Sequence, residues 1–242
     1  MKAEDIEFIR KNIPSPFNTP ERYEEFFRPK LQKHGALCST TIKAIKEILG
    51  PLIEEHSNRL FCRIDDSHTL KSPASIVEKI RKSQKSSSKV KTGQSPEPYD
   101  LDNFMSKMTD IARFRIVCNF LSDVNRVAEQ IRHSEKIKYF FNVEETSTID
   151  LHRRVAGERS VRFILEYMSR PGLFLEIQIM TQLQEAWDKK DHYLVYEKRR
   201  SSSKDDHENF PTYLDSKMFA MAELLYVADN YFDQLRLEED ES

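Results

Sequence analysis

The chain has 242 residues, 38% apolar and 32% charged, with 38 Lys and Arg against 40 Asp and Glu for a net charge of −2. That length suits one sizeable α/β core with helical extensions, and the balanced charge gives no global pull toward nucleic acid or anionic membrane, so any polyanion site must be local. Met1–Arg10 lacks the apolar centre of a signal peptide and no apolar run reaches membrane-spanning length, which predicts a cytoplasmic protein with no membrane partner.

Before residue 57 the pattern is helical: Ile42, Ile45, Leu49, Leu52 and Ile53 recur at helical spacing, and Gly50-Pro51 marks a bend or break. Asn58–Ile64 reads as a short strand. Ser72-Pro73 offers an N-cap followed by proline at the first helical position, opening a helix to about Lys82. Ser83–Pro98, rich in Ser, Lys, Pro and Gly, has the composition of a flexible loop, and its basic part reads as a solvated segment rather than an RNA contact. After a short helix at Asp102–Lys107, Ile111–Phe120 alternates as a strand with one basic end, and Leu121–His133 carries Val124, Val127, Ala128 and Ile131 on one side of a helix.

Three further strands are predicted at Lys138–Val143, Ser160–Tyr167 and Phe174–Thr181, the last two joined by a hairpin turn at Ser169-Arg170-Pro171-Gly172. Helices at Gln182–Tyr196 and Pro211–Arg236 close the chain. Tyr226, Tyr231, Phe232, Leu224, Leu225 and Leu235 give the last helix an apolar content suited to packing on the domain or on a second copy in a homo-oligomer. Cys38, Cys62 and Cys118 lack zinc spacing and read as reduced structural thiols; the seven histidines form no HExxH pattern, which leaves a hard-cation site open.

Three segments carry chemistry. Lys71, Ser75 and Lys79 stand four residues apart on one face at the start of a helix whose Ile76, Val77 and Ile80 point elsewhere. With the free N–H groups of that terminus they make an anion site fit for a polyphosphate, although the same residues also describe a solvated lysine face. Asp110-Ile111-Ala112-Arg113-Phe114-Arg115 sets an acid before a strand with two arginines, and alone Asp110 reads equally as a helix-end residue. In Leu175-Glu176-Ile177-Gln178-Ile179-Met180-Thr181 the apolar residues form one strand face and Glu176 and Gln178 the other. A carboxylate on each of two strands is what a magnesium ion bridging nucleotide phosphates requires.

Taken in order, these segments resemble the synthetase domain of the RelA/SpoT family. Its phosphate loop, R-x-K-x3-S-I-x2-K, matches Lys71, Ser75, Ile76 and Lys79; its D-I-x-G-x-R strand matches Asp110, Ile111 and Arg115; its E-x-Q-x-R-T strand matches Glu176, Gln178 and Thr181. The Trp, His and Tyr of the following helix match Trp187, His192 and Tyr196. The resemblance implies a nucleotidyltransferase-like α/β (α+β) domain with a mixed β-sheet of about five strands flanked by helices. It divides the chain into an N-terminal helical extension (1–57), the synthetase domain (58–200, with the flexible loop at 83–98) and a C-terminal helix with an acidic tail (201–242).

The implied reaction moves pyrophosphate from ATP to the ribose 3′-hydroxyl of GDP or GTP with Mg2+. Lys71, Ser75 and Lys79 would hold the ATP phosphates, Arg115 with Arg113 the adenine side, Asp110 the metal, and Glu176, beside Gln178, the metal or the hydroxyl proton. Arg159, Arg162, His192 and the residue at Glu158 would face the acceptor. Three departures bear on this. Thr69 stands where the family has an arginine, so one cationic partner for adenine is missing unless Arg63 supplies it. Glu158 stands where a guanine-stacking ring belongs, and Met180 replaces an arginine. The losses fall on the acceptor side, which keeps open an adenine nucleotide or a tRNA 3′ end as acceptor, or a binding module without catalysis.

Overall fold

The computed structural model describes residues 1–55, 61–87, 97–150, 157–196 and 212–240. Helices α1 (Ala3–Asn12) and α2 (Tyr23–Glu55) come first. Instead of breaking at Gly50-Pro51, α2 continues through it to Glu55. Pro51 falls near the C-terminal end, where it removes one backbone bond, and Cys38, Ile42, Ile45 and Leu49 have already buried the helix against the sheet.

Strands β1 (Phe61–Asp65), β2 (Ala112–Cys118), β3 (Phe141–Ser147), β4 (Val161–Tyr167) and β5 (Phe174–Thr181) form one sheet in the order β1-β2-β5-β4-β3. β2 and β5 are parallel and the other pairs antiparallel. The period of two sorts side chains between the faces. Phe114, Ile116, Phe163, Ile177 and Ile179 join α2 and α5 (Leu121–His133) in the main core, each contributing about 1.5–3 kcal/mol by burial. The register sets Arg113 beside Glu176, and both Arg115 and Arg162 beside Gln178, so the opposite face of the same strands is polar.

A second core joins α1, the start of α2, α3 (Pro73–Ser87) and α4 (Phe104–Lys107) through Phe8, Ile9, Phe27, Ile76, Ile80 and Phe104. The sequence ends α3 at Lys82, yet the helix continues to Ser87. Lys85 in the added stretch reaches Glu4 at 2.8 Å, and Arg81 just before it pairs with Asp5 at 2.8 Å, tying the helix to α1 through residues more than seventy positions away. Residues 88–96 of the expected loop lie outside the described residues.

The strand predicted at Lys138–Val143 is divided between α6 (Glu135–Phe140) and β3. Ser134 caps α6 by accepting the Ile137 N–H, and this local bond outweighs the β-propensity of the aromatic run. The β4–β5 turn forms as expected. Gly172 has φ 81°, and a Cβ there would stand 2.8 Å from Ser106 Cβ, so two independent constraints require glycine.

The closing segment is α7 (Gln182–Asp191), one π-helical turn (His192–Tyr196) and α8 (Thr212–Asp240). Helix α8 is bound to the domain by polar contacts. Trp187 Nε1 donates to the Met218 carbonyl at 2.8 Å, Thr181 Oγ1 to Asp229 at 2.6 Å, and Arg236 to Asp123 at 2.8 Å. Leu224, Val227 and Tyr231 on its outer side are exposed. Cys38 and Cys118 are buried free thiols, and among the described residues no helix is long and apolar enough to cross a membrane.

Candidate active site

Two backbone contacts bring the first cluster together. The Lys71 N–H donates to the Ile111 carbonyl at 2.8 Å, and Leu70 pairs with Ala112 as an isolated bridge, which lays the segment before α3 along the start of β2. Lys71 Nζ then reaches Asp110 Oδ2 at 2.8 Å, and Lys79 Nζ, from the second turn of α3, reaches Oδ1 at 2.8 Å. Ser72 Oγ accepts the Ser75 N–H at 3.3 Å and donates to Ser75 Oγ at 3.0 Å, forming the helix start. Ile76, Val77 and Ile80 are fully buried, so the polar side of α3 is left facing the cluster.

Burial works against the Asp110 carboxylate, but the ammonium groups of Lys71 and Lys79 outweigh it and hold Asp110 well below the usual carboxylate range. Burial also pulls Lys71 below its ordinary value despite the adjoining carboxylate. Two cations against one carboxylate, at the positive end of a 15-residue helix, make a seat for an anion stronger than a carboxylate.

Beside it, on the polar face of the sheet, lies a cleft of about 440 Å³ lined by Asp65, His68, Arg113, Arg115, Asp188 and His192, among others. Arg115 is set from two sides: its Nε donates to Gln178 Oε1 at 2.9 Å and its Nη2 to Asp188 at 2.6 Å. Arg113 lines the same cleft two residues earlier, and its N–H donates to the Thr69 carbonyl. Arg63 directs its Nη2 to Glu185 at 2.6 Å. His192 is exposed at the cleft wall.

The other expected acceptor residues are committed inside the protein. Arg162 Nη1 donates to Glu176 Oε1 at 2.9 Å and its Nη2 pairs with Glu158; the three side chains are buried. Glu158 therefore stands in the interior, 1% exposed, and not on a ring-stacking surface. Arg159 donates to Glu223 of α8 at 2.8 Å and lies 4.0 Å over the Tyr226 ring, which makes it a clasp for that helix. Met180 is buried as well.

Lys71, Lys79 and Asp110 thus meet directly, while Glu176 belongs to a neighbouring network with Arg162 and Gln178, whose Nε2 donates to Glu176 Oε1 at 2.7 Å. Among the described residues no group of three His, Cys, Asp or Glu could hold a metal by itself. Asp110 and Glu176 nevertheless fit magnesium in kind: they offer hard oxygen donors too few for a protein cage, as suits an ion that keeps waters and leans on substrate phosphates. Sequence reasoning missed Asp188, Glu185 and Asp65. The partners of Asp188 and Glu185 lie 73 and 122 positions away in the chain, beyond the reach of any local pattern. Tyr99, whose ring lies 5.6 Å from Lys79 Nζ, had no signal either.

Residues 68–201, more than half of the chain, match the family model of the region found in RelA / SpoT proteins. No curated protein matches the chain. Among solved structures it is similar to the small alarmone synthetase 1 from Bacillus subtilis, with 24% identity and a TM-score of 0.63 over 92% of this chain and 100% of that one. A GTP pyrophosphokinase family protein from Streptococcus pneumoniae gives 20% identity and a TM-score of 0.62 over 92% and 96%. The small alarmone synthetase 2 from Bacillus subtilis gives 18% and 0.60 over 88% and 98%. At these identities the structural likeness speaks for the fold, and the matched segment contains Lys71, Lys79, Asp110, Arg115 and Glu176. The chain belongs to the family of RelA / SpoT proteins.

Proposed function

We propose that this chain transfers the pyrophosphoryl group of ATP to the 3′-hydroxyl of a guanine nucleotide, GDP or GTP. The observation that carries the reading is the closure of Lys71 and Lys79 on Asp110 at the N-terminus of α3, beside the register of Arg113, Arg115, Gln178 and Glu176 on one sheet face. In support, the small alarmone synthetase 1 from Bacillus subtilis has been solved bound to its product pppGpp and, separately, to AMPCPP.

Lys71, Ser75 and Lys79 hold the ATP phosphates, and Arg115, with Arg113 next to it, takes the adenine side of the cleft. The acceptor oxygen forms a bond to the β-phosphorus, the bond from that phosphorus to the oxygen bridging to the α-phosphate breaks, and AMP leaves. The hydroxyl proton passes to the Glu176 carboxylate, which Gln178 orients. Magnesium, held by Asp110 and Glu176, would neutralise phosphate charge. Positioning and charge neutralisation supply most of the rate in phosphoryl-type transfer, so the chain needs no covalent intermediate.

An adenine nucleotide or a tRNA 3′ end as acceptor is the second reading, and the burial of Glu158 against Arg162 favours it by leaving no ring at that position. Purified protein with γ-labelled ATP, Mg2+ and a panel of acceptors separates the two. Label on GDP or GTP supports the first, label on adenine nucleotides or tRNA alone replaces the acceptor, and no transfer to any of them sinks the enzymatic reading in favour of a nucleotide-binding module.

A further inference from the structure

Glu158, Arg162 and Glu176 are 1%, 5% and 4% exposed, so two carboxylates and one guanidinium are withdrawn from water together. Arg162 uses each part of its planar fork: Nη1 donates to Glu176 Oε1 at 2.9 Å, Nε to Ser160 Oγ at 3.2 Å, and Nη2 faces Glu158. Such a buried trio is a poor device for stability alone, because well-packed apolar side chains of similar volume do as well or better. What it does supply is direction, since a guanidinium fixed along both edges cannot rotate.

The surroundings reinforce that direction. Gly157, with φ 99°, has no room for a Cβ, which would stand 2.6 Å from Ala222 Cβ under α8; the backbone next to Glu158 is therefore confined. Arg159, one residue on, is clasped to Glu223. From the other flank, Arg115 donates to Gln178 Oε1 and so turns the Gln178 amide to donate to Glu176 Oε1 at 2.7 Å. Glu176 is gripped from β4 by Arg162 and from its own strand by Gln178.

We infer that Glu158 and Arg162 form a positioning pair: Glu158 anchors Arg162, and Arg162 aims the Glu176 carboxylate at the acceptor side of the site. Neither residue touches substrate. The inference rests on the pyrophosphokinase reading, because it gives Glu176 a reacting partner. It also accounts for a glutamate and an arginine at two positions whose side chains face inward rather than the acceptor.

The test compares wild type, Arg162→Met, Glu158→Met/Arg162→Met and Arg162→Lys, with denaturation midpoint, kcat and ATP KM measured for each. Arg162→Met leaves two buried carboxylates without their cation and should lose stability. The double variant removes one of those carboxylates with the cation and should regain most of it. Its kcat should nevertheless stay down roughly tenfold to a hundredfold, with ATP KM within about threefold of wild type, because only the aim of Glu176 is lost. Arg162→Lys keeps the charge without the fork, and its kcat should lie between the double variant and wild type, again at unchanged KM.

Recovery of wild-type kcat along with stability in the double variant would make the pair a structural feature and overturn the inference; so would wild-type kcat in Arg162→Lys, or a loss confined to ATP KM. If the double variant does not fold, Arg162→Lys decides by itself. A wild-type protein that transfers to no acceptor sinks the underlying reading and the inference with it, an outcome distinct from an active wild type with indifferent variants.

Discussion

Lys71 and Asp110 are 39 residues apart in the chain and 2.8 Å apart in space, Nζ to Oδ2, with Lys79 on the other carboxylate oxygen. On the proposed reading, a phosphate oxygen of ATP would take the place that this carboxylate occupies between two ammonium groups. Removing its charge should separate binding from chemistry. Asp110→Asn is expected to bind ATP more tightly in the absence of metal, by calorimetry in a chelator, while transfer with Mg2+ falls at least about a hundredfold. Weaker metal-free binding would show that Asp110 does not compete for the lysines.

If Lys71 and Lys79 hold the ATP phosphates as proposed, Lys71→Ala should raise the ATP KM roughly tenfold or more, since a charge-assisted contact is about twice as strong as a neutral one. Asp110 also loses a partner. Its lowered folded value means that this ion pair stabilises the fold above the unfolded carboxylate pKa of about 4 and is lost as pH falls through the folded one. Urea midpoints of wild type and Lys71→Ala should therefore differ at pH 7 and converge as the solution is made strongly acidic; a gap that widens on acidification would contradict the assignment.

Glu176→Gln keeps the shape of the side chain and one hydrogen-bond acceptor beside Arg162 and Gln178, but lacks the charge. Transfer should fall at least about a hundredfold with ATP affinity little changed. Equal turnover in the variant would place the measured activity elsewhere.

For Glu158→Tyr, guanine stacking considered alone predicts a gain of roughly tenfold to a hundredfold in guanine-nucleotide use. The buried contact with Arg162 reverses the expectation. Breaking one side of a buried ion pair costs about 3–5 kcal/mol, and a larger ring enters a site already filled. A lowered denaturation midpoint without improved use of GDP is the expected outcome, and a stable variant with raised GDP turnover would restore the stacking account.

His34 on α2 is fully buried, and burial outweighs the backbone groups of Lys30 and Met105 to push its pKa down to about 4. The folded state keeps it neutral while the unfolded chain takes up a proton near pH 6.5, so its contribution to stability is full at neutral pH and is lost progressively as pH falls from about 6.5 toward 4. Between pH 7 and pH 5 the loss should be about 2 kcal/mol. His34→Leu should flatten that part of the profile, and an unchanged slope would assign the pH dependence to other groups.

Local periodicity accounts for what could be read from the sequence alone. The alternation of β2 and β5 separates Phe114 and Ile177 from Arg115 and Gln178 whatever their neighbours, because a side chain's face follows from a two-residue period. The 3.6-residue period likewise puts Ile76, Val77 and Ile80 inside and leaves Lys79 on the polar side of α3. Those two periods and the spacing of the charged residues account for the polar sheet face and the polar side of α3, while the aromatic run at Lys138–Phe140, read as strand, folded as the end of α6. They also carry enough pattern to place the chain in its family.

Tertiary structure alone decided which charges are partners and which stay at the surface. Glu158 and Arg159 are adjacent in sequence and both polar, yet one is sealed against Arg162 on β4 and the other fastens α8 through Glu223 and Tyr226. Arg63 finds Glu185 across 122 positions, and Arg115 finds Asp188 across 73. An ion pair's strength depends on how far water is excluded and on where a distant chain segment arrives. Neither is a property of any short stretch of sequence, so the aim of Glu176 had to wait for the sheet, α7 and α8 to come together.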